Sequence, residues 1–144
     1  MQMFYIALML AAGCLVALQS PVNAALSRTV GVLESSFVSF VVGAVVLGLS
    51  VLLWGQGHLT RLGAVPPWQW IGGALGAFMV LANIICVQRI GALPTIAAMI
   101  LGNLMMAALV DHYGWFGLTV APFSWRKLLG LALILGGMGL VLRR

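Results

Sequence analysis

Residues 35–60 read SSFVSFVVGAVVLGLSVLLWGQGHLT and contain no charged side chain. A transmembrane helix needs about 20 mostly apolar residues, because each residue advances about 1.5 Å through a hydrocarbon core about 30 Å thick. This run is long enough to cross. Strands of a membrane β-barrel alternate apolar and polar residues, whereas this run is continuously apolar. The stretch therefore predicts one membrane-spanning helix.

The composition extends this prediction to the whole chain. Of its 144 residues, 63% are hydrophobic and 6% are charged. Soluble domains average about 25% charged residues, so this chain has too little polar material to cover a globule in water. Soluble enzymes and disordered tails are excluded. The net charge of +5 comes from scattered residues, and so no nucleic-acid partner is predicted.

The charged residues separate five uncharged runs. The last run is short, but flanking Arg and Lys side chains can snorkel to the interface. We predict an all-α membrane protein, one domain over residues 1–144, with five spans at about 3–27, 35–54, 68–88, 94–111 and 125–142. The Trp residues support these bounds, because amphipathic rings favour the membrane interface. They lie at predicted span ends or in loops: Trp54, Trp68, Trp70, Trp115 and Trp125.

The cations are divided almost evenly between the two sides of the membrane. Five crossings put Arg61, Arg126 and Lys127 on the N-terminal side, against Arg28, Arg89, Arg143 and Arg144. Orientation follows the asymmetry of Lys and Arg, which is nearly absent here. Either an inserter or a single loop fixes one orientation, or the chain has dual topology. We favour dual topology, with opposite copies paired as an antiparallel (inverted) homodimer.

The residues that carry catalytic or metal chemistry are isolated from one another. Cys14 and Cys86 lie inside predicted spans without a Cys-x-x-Cys spacing, which is typical of buried packing residues. His58 and His112 share no metal-ligand spacing. Nucleotide-binding motifs are also missing from the sequence. We therefore predict no enzymatic activity, no metal and no cofactor.

Uncharged polar side chains inside the spans are the most informative residues. They are costly in hydrocarbon unless they face protein or water. Gln19 and Asn23 lie four residues apart, on one face of a helix, with Pro21 between them. Such an amide pair either lines a cavity or only forms hydrogen bonds between helices. We predict that five polar residues line a substrate site: Gln19, Asn23, Ser39, Asn83 and Asn103.

The two carboxylates and the last span have separate predicted roles. Glu34 lies at a helix N-terminus, where the macrodipole favours it, and proton coupling is the alternative. Asp111 lies near a helix C-terminus, where the dipole disfavours it. It is either a proton-coupling group or an interfacial carboxylate in water. Gly130, Ile134 and Gly137 share one face of a span without polar residues, which predicts dimerisation through that helix.

The order and spacing of five short stretches resemble the drug/metabolite transporter superfamily, in particular its half-length five-span branch, the YdcZ-like bacterial inner-membrane proteins. These stretches are Gln19-Ser-Pro-Val-Asn23-Ala-Ala-Leu, Ser39-Phe-Val-Val-Gly43, Trp70-Ile-Gly-Gly-Ala-Leu-Gly76-Ala, Asp111-His-Tyr-Gly-Trp-Phe-Gly117 and Gly130-Leu-Ala-Leu-Ile-Leu-Gly-Gly137. The last stretch is similar to the helix that also serves dimerisation in small multidrug resistance proteins. Those proteins couple transport to protons through a Glu in the first span, which this chain lacks. Their cation/proton antiport is therefore not implied.

The resemblance implies a secondary active transporter that exports a small organic molecule or metabolite across the bacterial inner membrane. It implies alternating access by a dimer, formed with an identical chain or a paralogous five-span partner in contact with membrane lipids. The lining residues are neutral, which favours a neutral, zwitterionic or weakly polar substrate over a bare cation. The alternatives are a membrane scaffold or lipid-organising subunit, and a passive channel, which would need a continuous polar lining.

Overall fold

The computed structural model describes residues 2–142, with side chains through residue 140. Arg143 and Arg144, two of the cations in the charge count, lie outside the described residues. The chain forms five α-helices: α1 (Gln2–Val30), α2 (Val32–Trp54), α3 (Ile71–Ile90), α4 (Ala92–Tyr113) and α5 (Trp125–Leu142). Short 3-10 turns occupy Leu59–Ala64, Pro67–Trp70 and Trp115–Gly117. Residues 2–142 contain no β-strand.

The helices bear out the predicted class of an all-α membrane protein. Within residues 2–142, four helical segments are long and apolar enough to cross a bilayer: Gln2–Val30, Val32–Trp54, Pro67–Ile90 and Ala92–Tyr113. Helix α5 has the bounds expected for a fifth span, Trp125–Leu142. The fifth crossing, the single membrane domain and the dimer stay predictions.

The joint between α1 and α2 is a single residue, Gly31. The spans predicted from the sequence, 3–27 and 35–54, leave residues 28–34 between them, but α1 continues to Val30 and α2 begins at Val32. Gly31 has φ 101° and ψ 160°, a region that is essentially restricted to glycine. Gly91 has nearly the same conformation, with φ 88° and ψ 168°, directly before α4. One glycine therefore replaces a loop at each position.

The chain divides into two compact units between Arg89 and Ile90. The first unit contains α1, α2 and α3, and the second contains α4 and α5. Helices α1 and α2 pack against each other, as do α4 and α5.

The side chains are distributed as in a protein surrounded by lipid. Large apolar side chains are exposed along the helices; Leu52, for example, is 82% exposed. Such an exterior would aggregate in water, whereas lipid tails are as apolar as the side chains themselves. Among the described residues, the buried apolar ones are Ala24, Val80 and Ile84. The buried polar ones are Ser20, Asn23, Ser27, Ser35, Ser36, Asn83 and Thr95.

Candidate functional site

The buried face of α1 is polar. Its buried residues are Ser20, Asn23, Ala24 and Ser27, at a spacing that repeats about once per helical turn. Asn23 is 7% exposed. Because polar groups avoid hydrocarbon, this stripe turns toward the neighbouring helices and fixes the rotation of α1. A polar face of the first span is thus present, but its buried residues begin at Ser20 and do not include Gln19.

Asn23 connects α1 to α2 through two hydrogen bonds. The Ser35 hydroxyl donates to the backbone carbonyl of Asn23 at 2.8 Å. The Ser39 hydroxyl donates to Oδ1 of the Asn23 amide at 2.7 Å. Ser35 has no exposed surface at all. Both distances are normal for O–H···O hydrogen bonds, so α2 holds both the backbone and the side chain of Asn23.

Helix α3 contacts the same face of α1 one turn further along. The Gln88 side-chain amide donates to the Ser27 hydroxyl oxygen and, at 3.4 Å, to the carbonyl of Ala24. Ile84 is completely buried and Asn83 is 8% exposed. These contacts bring the C-terminal ends of α1 and α3 together.

Two spaces open beside the polar cluster, by which we mean Asn23 and the polar side chains around it on α1, α2 and α3: Gln19, Ser20, Ser27, Ser35, Ser39, Asn83 and Gln88. A crevice of about 10 Å³ lies between α1 and α3, enough for about one water molecule. Its lining includes Gln19, Ser20, Asn23 and Asn83. A wider groove of about 290 Å³ runs along α2, and Gln19 and Ser39 lie in its wall. Gln19 lines both spaces, so the crevice and the groove share a wall at its side chain.

The structure brings four of the five predicted lining residues together in the first unit. Asn23 and Asn83 are buried, Ser39 is half-buried, and Gln19 is exposed at the edge of the crevice. The fifth, Asn103, lies on α4 in the second unit and is exposed. The cluster in the first unit offers neutral amides and hydroxyls.

The two carboxylates lie at helix ends. Glu34 is exposed in the first turn of α2, where the helix dipole favours its negative charge. Its carboxylate occupies the space beside Gly31, but it makes no capping hydrogen bond. Asp111 is half-buried near the end of α4. Proton coupling by either residue stays a prediction.

The loop between α4 and α5 is fastened to the end of α4. The backbone N–H of Ala121 donates to the carbonyl of Asp111 at 2.8 Å. The backbone N–H of Phe123 donates to Nδ1 of His112 at 3.2 Å. The Lys127 ammonium then donates to the Ala121 carbonyl at 2.8 Å. The polar contacts of the second unit thus include the backbone carbonyl of Ala121 in this loop.

The predicted dimerisation residues lie on an open face of α5. Gly130 and Ile134 line a groove of about 290 Å³ that α4 residues also line, and Ile134 is 43% exposed. No atom that a side chain at Gly130 or Gly137 would meet lies within 4 Å. Dimerisation through this face stays a prediction.

Sequence reasoning missed three residues that hold the site together: Ser27, Ser35 and Gln88. Ser27 was detectable, because it lies four residues beyond Asn23 on the same helical face. The sequence places Ser35 at the start of the second span but does not identify its partner, which depends on how α2 is rotated against α1. Gln88 lies at the end of the predicted third span beside Arg89, where polar residues are ordinary.

Comparisons with known proteins agree with this membrane architecture. A family described as "Putative inner membrane exporter, YdcZ" matches residues 4–140. The chain is 29% identical to the Inner membrane protein YdcZ of Escherichia coli (strain K12), over 99% of this chain and 97% of the relative. No solved structure matches the chain.

Proposed function

The chain belongs to the YdcZ family of inner membrane exporters, and on that basis we propose that it is a secondary active transporter that exports a small organic molecule. It is a multi-pass protein of the inner membrane. The class of solute that is exported and the secondary active mechanism of export are proposals.

The observation that carries the proposal is the buried polar cluster around Asn23. Within the described residues, most buried side chains are polar although the chain is strongly apolar overall. Polar groups at membrane depth are expensive and commonly mark a solute route. The groove beside Gln19 and Ser39 would give a solute access to this cluster from one side.

The chemistry of the cluster favours a neutral or zwitterionic solute. Gln19, Asn23, Ser39 and Asn83 carry no charge that could neutralise a bare ion. An unpaired ion at such a site would lose its hydration without compensation. Glu34 and Asp111 are the carboxylates available for proton coupling; Glu34 directly precedes Ser35 in the sequence, whereas Asp111 lies near the end of α4.

We further propose that two chains, in opposite orientations, form the working transporter. Inverted repeats place the substrate site near the middle of the membrane at the interface between the repeats. Asn103 would then join the lining, and Gly130, Ile134 and Gly137 of α5 would form the dimer contact. The partner is a second copy of this chain or a paralogous five-span protein.

Transport in proteoliposomes tests the function directly. A panel of neutral and zwitterionic metabolites is first screened for thermal stabilisation of the purified protein, and hits are then assayed as radiolabelled solutes. We expect Asn23→Ala combined with Asn103→Ala to abolish uptake, whereas Ser50→Ala is the matched control. Ser50 bonds only to its own helix, at the carbonyl of Val46. Normal uptake by the double variant would refute the proposed site.

The competing function is a non-transporting scaffold or lipid-organising subunit. The observation that favours this alternative is that the bonds from Ser35 and Ser39 to Asn23 join two helices. A scaffold would show no counterflow of any stabilising solute at any membrane potential or pH gradient. A transporter would show saturable counterflow that the Asn23 variant loses.

The dimer has its own test. Replacement of both Gly130 and Gly137 by Leu should dissociate a detergent-extracted dimer, because the side chains would hold the helices apart. A C-terminal tag should be accessible from both sides of the membrane if copies insert in opposite orientations. An unchanged dimer contradicts the interface, and labelling from one side alone contradicts dual topology.

A further inference from the structure

The hydroxyl groups around Asn23 all donate their protons to other parts of the protein. Ser35 and Ser39 donate to the backbone carbonyl and the amide oxygen of Asn23, respectively. Ser20, Ser27 and Ser36 donate to carbonyls within their own helices. A hydroxyl has one proton to donate. These five residues therefore keep no donor for a bound solute in this arrangement.

The Asn23 amide has the opposite property. Its oxygen already accepts the hydrogen bond from Ser39, whereas its NH₂ group has no acceptor among residues 2–142. Every buried side-chain nitrogen or oxygen among those residues has a partner, so this NH₂ group must reach accessible space. Asn23 lines the crevice with Gln19 although the residue is more than nine-tenths buried.

In the hydrogen-bonding pattern of this structure, Ser39 contacts the oxygen end of the Asn23 amide. An amide can rotate by half a turn and exchange its oxygen and nitrogen, which have opposite hydrogen-bonding properties. The Ser39 hydroxyl donates to the amide oxygen at 2.7 Å and so holds that oxygen toward α2. The NH₂ group is thereby held away from Ser39.

We propose that Asn23 is a specificity-determining residue that binds a hydrogen-bond acceptor on the solute, with Ser39 as its positioning residue. The acceptor is a neutral or zwitterionic oxygen, such as a carbonyl, an N-oxide or the carboxylate of a zwitterion. The crevice has room for about one water-sized group, so the acceptor oxygen alone would enter it. An uncharged N–H donor in this crevice discriminates for such an oxygen, because an analogue without it leaves the donor unpaired. This inference rests on the proposed transport function.

A matched pair of probes tests the proposal. Pyridine N-oxide and N-methylpyridinium have similar shapes, but only the N-oxide presents an acceptor oxygen. The protein is labelled with ¹⁵N-asparagine and placed in lipid nanodiscs, where Asn23, Asn83 and Asn103 give the side-chain amide signals. Asn23→Leu and Asn103→Ala assign the signals. We expect pyridine N-oxide to shift the Asn23 signal and N-methylpyridinium to leave it unchanged.

Variants separate a binding role from a structural one. Asn23→Leu should weaken the apparent affinity for pyridine N-oxide by about tenfold or more. Ser39→Ala should weaken it by about two- to fivefold, because the amide is then free to rotate. Ser39→Thr retains the hydroxyl and should restore affinity, and Ser50→Ala should have no effect. Ser39→Thr and Ser39→Ala keep the test valid if Asn23→Leu does not fold.

The outcomes distinguish this inference from the proposed function. An equal response of the Asn23 signal to both probes, or no response to either, would overturn the inference. Affinities that are the same in Ser39→Ala and Ser39→Thr would remove the positioning role of Ser39. A chain that binds pyridine N-oxide through Asn23 but transports no solute would instead contradict the proposed function.

Discussion

The joints at Gly31 and Gly91 have the same backbone but different surroundings. Each glycine has a positive φ and stands directly before a long helix. Four residues later comes a buried hydroxyl residue, Ser35 or Thr95, whose N–H donates to the glycine carbonyl. The Ser35 hydroxyl reaches across to Asn23 on α1, whereas the Thr95 hydroxyl returns to the carbonyl of Gly91. The same local turn thus supports an interhelical contact at one joint and only itself at the other.

The two joints show that the local sequence specifies how a helix begins but not whether it bonds to its neighbour. Glycine, then a hydroxyl residue four positions on, specifies how the helix begins. Whether the hydroxyl joins two helices depends on the neighbouring helix: Ser35 bonds to the Asn23 carbonyl of α1, whereas Thr95 bonds within its own turn. The polar cluster of the first unit thus has members on both sides of its joint, Ser27 before it and Ser35 after it.

The largest effect is expected from a side chain at the joints themselves. Gly31→Ala and Gly91→Ala should each reduce the free energy of unfolding by about 1–3 kcal/mol, because alanine is strained at these dihedral angles. The two losses should be similar. At Gly31 the methyl group would displace only the carboxylate of the exposed Glu34 side chain, and at Gly91 the nearest atom is Cδ of Pro94, at 3.9 Å. Unfolding with sodium dodecyl sulfate in mixed micelles measures both.

A double variant provides the control for this prediction. Glu34→Ala removes the carboxylate and should recover little of the loss in Gly31→Ala, because the exposed carboxylate can move aside and the backbone strain remains. A clearly larger loss at Gly31 than at Gly91, recovered in the double variant, would contradict this.

An intermediate effect is expected from the two hydroxyl residues. Ser35→Ala removes a buried bond between helices and should cost about 1 kcal/mol. Thr95→Val retains the shape of its side chain and removes a bond within one turn of helix. We expect a smaller cost there, because the Gly91 carbonyl still accepts the Thr95 N–H. The same unfolding assay compares them, and a larger loss at Thr95 would reverse the proposed difference between the joints.

The smallest effect is expected at the third position after each glycine. After Gly31 this position is Glu34, whose negative charge is favoured by the dipole of α2, whereas after Gly91 it is Pro94. Glu34→Gln should cost about 0.3–1 kcal/mol at low ionic strength and less in high salt. Thermal unfolding in detergent at two salt concentrations checks this. A salt-independent loss would contradict a dipole effect, and a changed pH dependence of transport would favour proton coupling.

The number and approximate bounds of the helices could be predicted from the sequence, because charged residues avoid the centre of a bilayer and Trp favours its interfaces. The sequence could not reveal how short the first joint is. Arg28 and Glu34 lie inside helices, since long side chains reach the interface from a helical turn and need no loop. The conformation of Gly31 also depends on packing between α1 and α2.

The candidate site was predictable at the level of residue type but not of individual contacts. Gln19 and Asn23 were expected on one face, yet Asn23 is buried and Gln19 is exposed. Residues four apart differ by about 40° around a helix, which is enough to place one of them outside a narrow interface. The choice of Ser35 and Ser39 as partners follows from the rotation of α2, which no short motif encodes.

The single-residue joint also limits how α1 and α2 can move. A loop would provide slack, so that one helix could slide along the other. Gly31 provides only its two soft backbone dihedrals, φ and ψ. The N–H of Gly31 is bonded to Ser27, and its carbonyl accepts the N–H of Ser35. The two helices can therefore pivot about Gly31, but neither can change its depth in the membrane without the other.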